Sequence, residues 1–215
     1  MTGNEEKKSR KRKGITAAEL QSQLEADPAY VERVKQEEED QAARAAAAAE
    51  EERPILADLK KVGIEVNSIW CMVNSKAKFI PALPYLVKHL GLPYSNTTRA
   101  GIARALAVPE AHFAWDFIAQ LYVDEPETTD GSTNWAKEGL ALALSAAATS
   151  AELTRVSALM SEQKHGPSRL YLVNALRRLD GVEVEAMLRR FSEDELFSAE
   201  IRAVSVAKAK RSRRR

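Results

Sequence analysis

Three eight-residue windows of this 215-residue chain, at 99–106, 137–144 and 169–176, repeat one pattern. Each opens on a cation (Arg99, Lys137, Arg169), carries an aliphatic residue fourth, a small or β-branched residue fifth, alanine seventh and leucine eighth. Apolar anchors flank the windows at Leu86, Ile118, Val156 and Leu188. The step from a window's last leucine to the next anchor is 12 residues each time: 106 to 118, 144 to 156, 176 to 188. From anchor to last leucine the steps are 20, 26 and 20, so one six-residue insertion in the polar stretch 124–134 explains the single irregularity. Such spacing implies a helix-turn-helix unit of about 32 residues, each copy burying its apolar face on the next.

Helix punctuation agrees with the same units. Pro84, Pro109 and Gly166-Pro167 mark helix starts, because proline is tolerated in a first turn and not later. Ala105, Ala143 and Ala175 stand where helices must approach closely, and Leu106, Leu144 and Leu176 fill the space between layers. A last helix is expected at residues 193 to about 204, capped by Ser192 and seated by Leu196, Phe197 and Ile201. No stretch of useful length alternates apolar and polar, so the chain is expected to be all-α.

Ahead of the repeats, Pro54 is expected to open a short amphipathic helix with Ile55, Leu56, Leu59 and Val62, closed by Gly63, and 68–73 another brief helical turn. Thr16-Ala17-Ala18-Glu19 spells a capping box, with Leu20 and Leu24 on one edge of the helix it starts. Asp27-Pro28 supplies a second start, and 29–53 is alanine, glutamate, glutamine and arginine without an internal breaker. Only Tyr30, Val31, Val34 and an alanine run at 45–49 are apolar there. That predicts a solvated helix lying along or projecting from the domain; the alternatives are a docking helix for a partner and an electrostatic mate for the basic termini.

The formal net charge of +1 is a cancellation of unlike segments. Residues 1–13 hold six cations against two acids, too polar to order themselves and expected to be a disordered basic arm. Residues 14–53, the acidic helical extension, have 4 cations and 11 acids; residues 54–205, the repeat domain, have 16 and 18; the tail at 206–215 has six cations and no acid. The lone Cys71 cannot form an intrachain disulfide, and His89, His112 and His165 read as lone side chains near helix ends, with no metal-ligand spacing and no Glu or His partner expected three or four residues away. No apolar run approaches the roughly 20 residues of a membrane span, and the charged start lacks a signal-peptide core, so a cytoplasmic setting is expected. No phosphate-binding glycine loop, nucleophile elbow or Cys-x-x-Cys occurs, and no cofactor is expected.

The repeated windows resemble the HEAT-repeat superfamily, in particular its short HEAT-like repeats of the phycobilisome-lyase type, whose second helix reads roughly basic-x-x-Ala-x-x-Ala-Leu. The likeness covers 80–204 well and 54–74 loosely, with Asn74 where that register wants leucine. It implies a right-handed α-α solenoid of about four helical pairs, preceded here by the long charged helix. Such repeats host scaffolds, binders and a few enzymes, so fold alone does not assign function. The paired His-Glu dipeptides of HEAT-like hydroxylases are missing from this chain.

In such a solenoid Arg99, Lys137 and Arg169 fall at one position on successive second helices, which usually line the concave side. There they grip an acidic peptide or phosphates, or else each bonds carbonyls or an acid of the neighbouring unit. Trp70, Trp115 and Trp135, with Asp116 beside Trp115, invite comparison with HEAT-like DNA glycosylases. Tryptophans are more often partial-core residues with one wet edge, and the repeat domain has no cationic excess. The basic tails, through Lys11, Arg12, Lys13, Arg211, Arg213, Arg214 and Arg215, are a second candidate surface for phosphates, or simply solubilising ends. The leading expectation is a non-enzymatic scaffold binding a protein partner on its solenoid surface, with Trp70 and Trp135 among the binding residues. The alternatives are a nucleic-acid-associated protein and, third, a DNA-base glycosylase.

Overall fold

A computed structural model of the chain describes residues 15–75, 77–128 and 132–213. The basic arm with Lys11, Arg12 and Lys13 lies outside the described residues, as do Arg214 and Arg215. Among the described residues every regular element is helical. The chain divides into two compact units, residues 1–47 and 48–215.

In the first unit, helix α1 (Ala17–Glu25) starts at the expected capping box: Glu19 N–H donates to Thr16 Oγ1 at 3.2 Å, and Thr16 N–H donates back to Glu19 Oε2 at 2.9 Å. Asp27 Oδ1 accepts from Ala29 N–H at 3.0 Å where α2 (Pro28–Lys61) begins. No residue of α1 is buried.

Pro54 does not open a new helix, contrary to the expectation from its position; it lies inside α2, which runs on to Lys61. Proline there forfeits one backbone hydrogen bond. Burial of Glu52, Ile55, Asp58 and Leu59 in the second unit holds the helical path against that cost. Glu52 also fixes the start of α3 (Ile69–Val73): its carboxylate accepts from Ile69 N–H at 3.0 Å and from Ser68 Oγ at 3.1 Å.

The second unit continues with α4 (Leu83–Leu90), α5 (Asn96–Ala105), α6 (Trp115–Asp124), α7 (Trp135–Ala147), α8 (Leu153–Ser161), α9 (Val173–Arg178), α10 (Val182–Arg190) and α11 (Ser198–Ser212). Leu86, Ile118 and Val156 are fully buried, as are Leu106, Leu144 and Leu176; Leu188 closes the series. Along one row α3 packs on α5, α5 on α7, α7 on α9 and on the 3-10 segment Gln163–Leu172, and α9 on α11. The intervening helices seat on that row: α4 on α5, α6 on α7, and α10 on α8 and α9. The third window is therefore part 3-10 and part α-helix.

The glycine third in the first two windows packs closely on the preceding helix of the row, Gly139 of α7 on α5 and Gly101 of α5 on α3. A Cβ on Gly139 would stand 3.0 Å from the Ala100 carbonyl oxygen and from the Ala103 Cβ. A Cβ on Gly101 would stand 2.6 Å from Ile69 Cγ2 and 3.3 Å from the Trp70 indole. Ala143 and Ala175 are buried as expected, whereas Ala105 is only half-buried.

The last helix starts five residues later than the sequence pattern indicates. Ser192 Oγ turns back to donate to Arg189 O at 2.8 Å, and Asp194 Oδ1 accepts from Leu196 N–H at 2.9 Å. These turns drop Phe197 into the core edge-on to Phe191, with ring centroids 5.2 Å apart. From there α11 carries the first part of the basic tail as helix. Lys208 Nζ donates to Leu179 O and pairs with Asp180, which Arg211 also reaches at 2.8 Å.

Candidate interaction surface

Four segments of the row that α3 begins bring Trp70, Arg104, Trp135, Glu138 and Tyr171 together. Trp70 comes from α3, Arg104 from α5, Trp135 and Glu138 from α7, and Tyr171 from the 3-10 segment that α7 packs against. The Arg104 guanidinium carbon lies 5.7 Å from the Trp70 ring centroid and 5.4 Å from that of Trp135. Both distances suit a cation facing an aromatic ring. Arg104 also pairs with Glu138 at 3.3 Å, both side chains being largely shielded. Burial, then the Glu138 charge, pushes the Tyr171 phenol above its ordinary value. Trp135 nonetheless remains 53% exposed. A large apolar ring held open to water by a fixed guanidinium is a preorganised contact point.

Two of the sequence candidates, Trp70 and Trp135, thus meet at one place. The residue that joins them, Arg104, was missed: it lies five positions after Arg99 in the first window and has no counterpart in the other two.

Arg99, Lys137 and Arg169 are engaged locally instead. Arg99 pairs with Glu125. Arg169 donates from Nε to Gly166 O and from Nη1 to Met160 O, both at 2.9 Å. Lys137 is 2% exposed; its ammonium donates to Glu125 O, lies 3.6 Å from Glu127 Oε1 and faces the Tyr122 ring. Burial lowers the Lys137 pKa, opposed by Glu127 and Glu125. Burial pushes the Tyr122 phenol up to about 12, while its hydroxyl shares a 2.9 Å hydrogen bond with Ser168. The six-residue insertion thus serves two of the repeated cations, supplying Glu125 and Glu127 from one loop.

Trp115 and Asp116 take no part in the aromatic cluster. Trp115 is buried, and its indole N–H donates to Leu144 O at 3.2 Å. The Asp116 carboxylate pairs with Arg155, which covers the Trp115 ring at 4.3 Å. Neither are the histidines lone. His89 Nε2 is 3.1 Å from Asp58, which also binds Lys61 and Lys88; His112 Nδ1 lies 3.7 Å from Glu152; and Glu162, three residues before His165, approaches its Nε2 to 3.3 Å. Spacing along the chain hides the first two partners because they come from other helices. Among the described residues no group of three His, Cys, Asp or Glu side chains is placed to hold a metal ion. Among them, too, no helix is long and apolar enough to cross a membrane.

His165 is completely buried, and neither ring nitrogen has a well-aligned hydrogen bond. Burial first, then Lys137, holds its pKa below the ordinary 6.5, with Glu162 opposing and Lys164 adding to the depression. The folded state therefore resists a proton that the unfolded chain accepts. This contribution to stability is complete above about pH 6.5 and declines as pH falls below it. Thermal unfolding from pH 7 to 5 should show a falling midpoint, with a shallower slope in His165→Phe. Equal slopes in the two proteins would dismiss the assignment.

No protein-family model, no curated protein and no solved structure matches this chain.

Proposed function

We infer that this chain is a non-enzymatic interaction module, an α-α solenoid of HEAT-like helical pairs that binds a protein partner on the face formed by its second helices. The two-row packing supports the solenoid reading: α3, α5, α7, α9 and α11 succeed one another along one row, and α4, α6, α8 and α10 seat against it. The observation that carries the function is Trp135, exposed on α7 and facing Arg104. Buried aromatic and arginine side chains are the commonest anchors of protein interfaces. Cys71 is exposed and free, in accord with a reducing, cytoplasmic setting within the same proposal.

Photo-crosslinking in cells tests the reading. A photoreactive phenylalanine at position 135 should trap a discrete partner, whereas the same group at Val182, exposed on α10, should not. The adduct should persist when residues 1–13 and 206–215 are deleted. With the partner in hand, Trp135→Ala should weaken binding about 30-fold, the ~2 kcal/mol of an aromatic anchor. Absence of an adduct at 135, or one that needs the basic termini, would overturn the proposal.

A further inference from the structure

The first unit carries a second surface, independent of the Trp135 face. Two helices joined by a short turn normally bury an apolar seam between them or against a third element. Here α1 and the first turns of α2 enclose a crevice of about 720 Å³ lined by Leu20, Leu24, Tyr30, Val31 and Val34. Leu20 and Val31 are 49% and 47% exposed, and Leu24, Tyr30 and Val34 are half-buried. Apolar side chains at this spacing, left open by the other described residues of this unit, leave the seam incomplete.

The charge around the seam selects what completes it. Residues 15–47 hold three cations and eight acids, a net −5. Two of the cations already face acids one helical turn along, Arg33 toward Glu37 and Lys35 toward Glu39. Glu25 and Glu38 stand on the rim of the crevice itself beside a single cation, Lys35, which already faces Glu39. A second copy of the unit would bring a second −5 against the first. The basic arm at 1–13 has the right sign, but its one apolar side chain, Met1, cannot fill an apolar crevice. What fits is a short helix with an apolar stripe and basic flanks.

We propose that the α1–α2 crevice is a docking site for a basic amphipathic helix of another polypeptide. The stripe seats on Leu20, Leu24, Tyr30, Val31 and Val34, and lysines or arginines beside it meet Glu25 and Glu38. Helix α1 is nine residues long, so the site spans about 14 Å, or some three turns of the incoming helix. Apolar burial provides the affinity, and the acidic rim provides the selection of sign and a faster encounter.

The probe is a fluorescent peptide of about 14 residues, built only of leucine and lysine, with leucines at i, i+3, i+4 and i+7. Its anisotropy is titrated with the full chain. Leu24→Asp with Val34→Asp should weaken binding at least tenfold, and a peptide with every leucine replaced by serine should lose as much. Should circular dichroism show that double variant to have lost helix, Glu25→Lys with Glu38→Lys leaves the apolar lining intact. That rim variant should weaken binding about tenfold at low salt and flatten its salt dependence. Affinity unchanged by the rim variant, or equal affinity for the serine peptide, would overturn the proposal. So would sedimentation showing a dimer that Leu24→Asp dissolves, or a tenfold gain in peptide affinity on deleting residues 1–13, since either outcome names another occupant.

Discussion

Truncating Leu144 to alanine should lower the free energy of unfolding by about 3 kcal/mol, a large share of the stability of a domain this size. The side chain is fully buried at the C-terminal end of α7. Ala141, Ala147 and Ala148, three or four residues away along the chain, are buried and small. None of these can grow into the vacated space, so the lost transfer energy is joined by the cost of a persistent cavity. Leu106 and Leu176 hold the same register in their windows and are equally buried, so Leu106→Ala and Leu176→Ala should cost similar amounts. Urea denaturation measures all three. The midpoint should fall while the slope with denaturant stays constant, because the surface exposed on unfolding is nearly unchanged. Costs below about 1 kcal/mol at all three sites would mean that the repeated leucines do not share one structural role.

Gly139→Val should be at least as damaging, by the opposite route. The new Cβ would meet the Ala100 carbonyl oxygen and the Ala103 Cβ at 3.0 Å, tighter than ordinary contact. Both belong to α5, and a backbone carbonyl moves only if its helix moves. Valine gains a few tenths of a kcal/mol in helix propensity over glycine, whereas overpacking of this kind costs about 3 kcal/mol, so the net effect is a loss. Gly101→Ala meets a comparable obstacle with a single methyl. Its Cβ would stand 2.6 Å from Cγ2 of Ile69, a fully buried β-branched side chain with little rotamer freedom, and 3.3 Å from the Trp70 indole, so the cost should be about 2 kcal/mol. Thermal unfolding should place both variants well below the parent protein, and an unchanged midpoint in either would refute close packing at that glycine.

The three windows were legible because a repeated leucine and a constant step have few explanations other than a repeated layer. The glycines two positions after Arg99 and Lys137 stand in plain view in the same windows, yet glycine inside a helix reads as a weakness until the neighbouring backbone is seen beside it. Arg99, Lys137 and Arg169 show the reverse limit. Their common register is visible in the sequence, but their acceptors are one loop carboxylate, one buried acid-and-carbonyl pair, and two local carbonyls. Pro54 and Ser192 mark where local preference yields to packing: buried Ile55 and Leu59 keep one helix going, and buried Phe197 delays another. Trp70 and Trp135 could be singled out by type alone. That Arg104 faces both depends on how α3, α5 and α7 align, which no pattern within one helix encodes.

Docking of α11 through Lys208 and Arg211 onto Asp180 also changes what the basic C-terminus can offer a polyanion. Counterion release drives phosphate binding, and each free cation adds nearly one to the slope of log affinity against log salt. Lys208 and Arg211 already face a carboxylate, so a phosphate arriving there exchanges one anion for another and releases no small ion from it. The salt slope of any such complex therefore counts fewer charges than the tail's composition suggests.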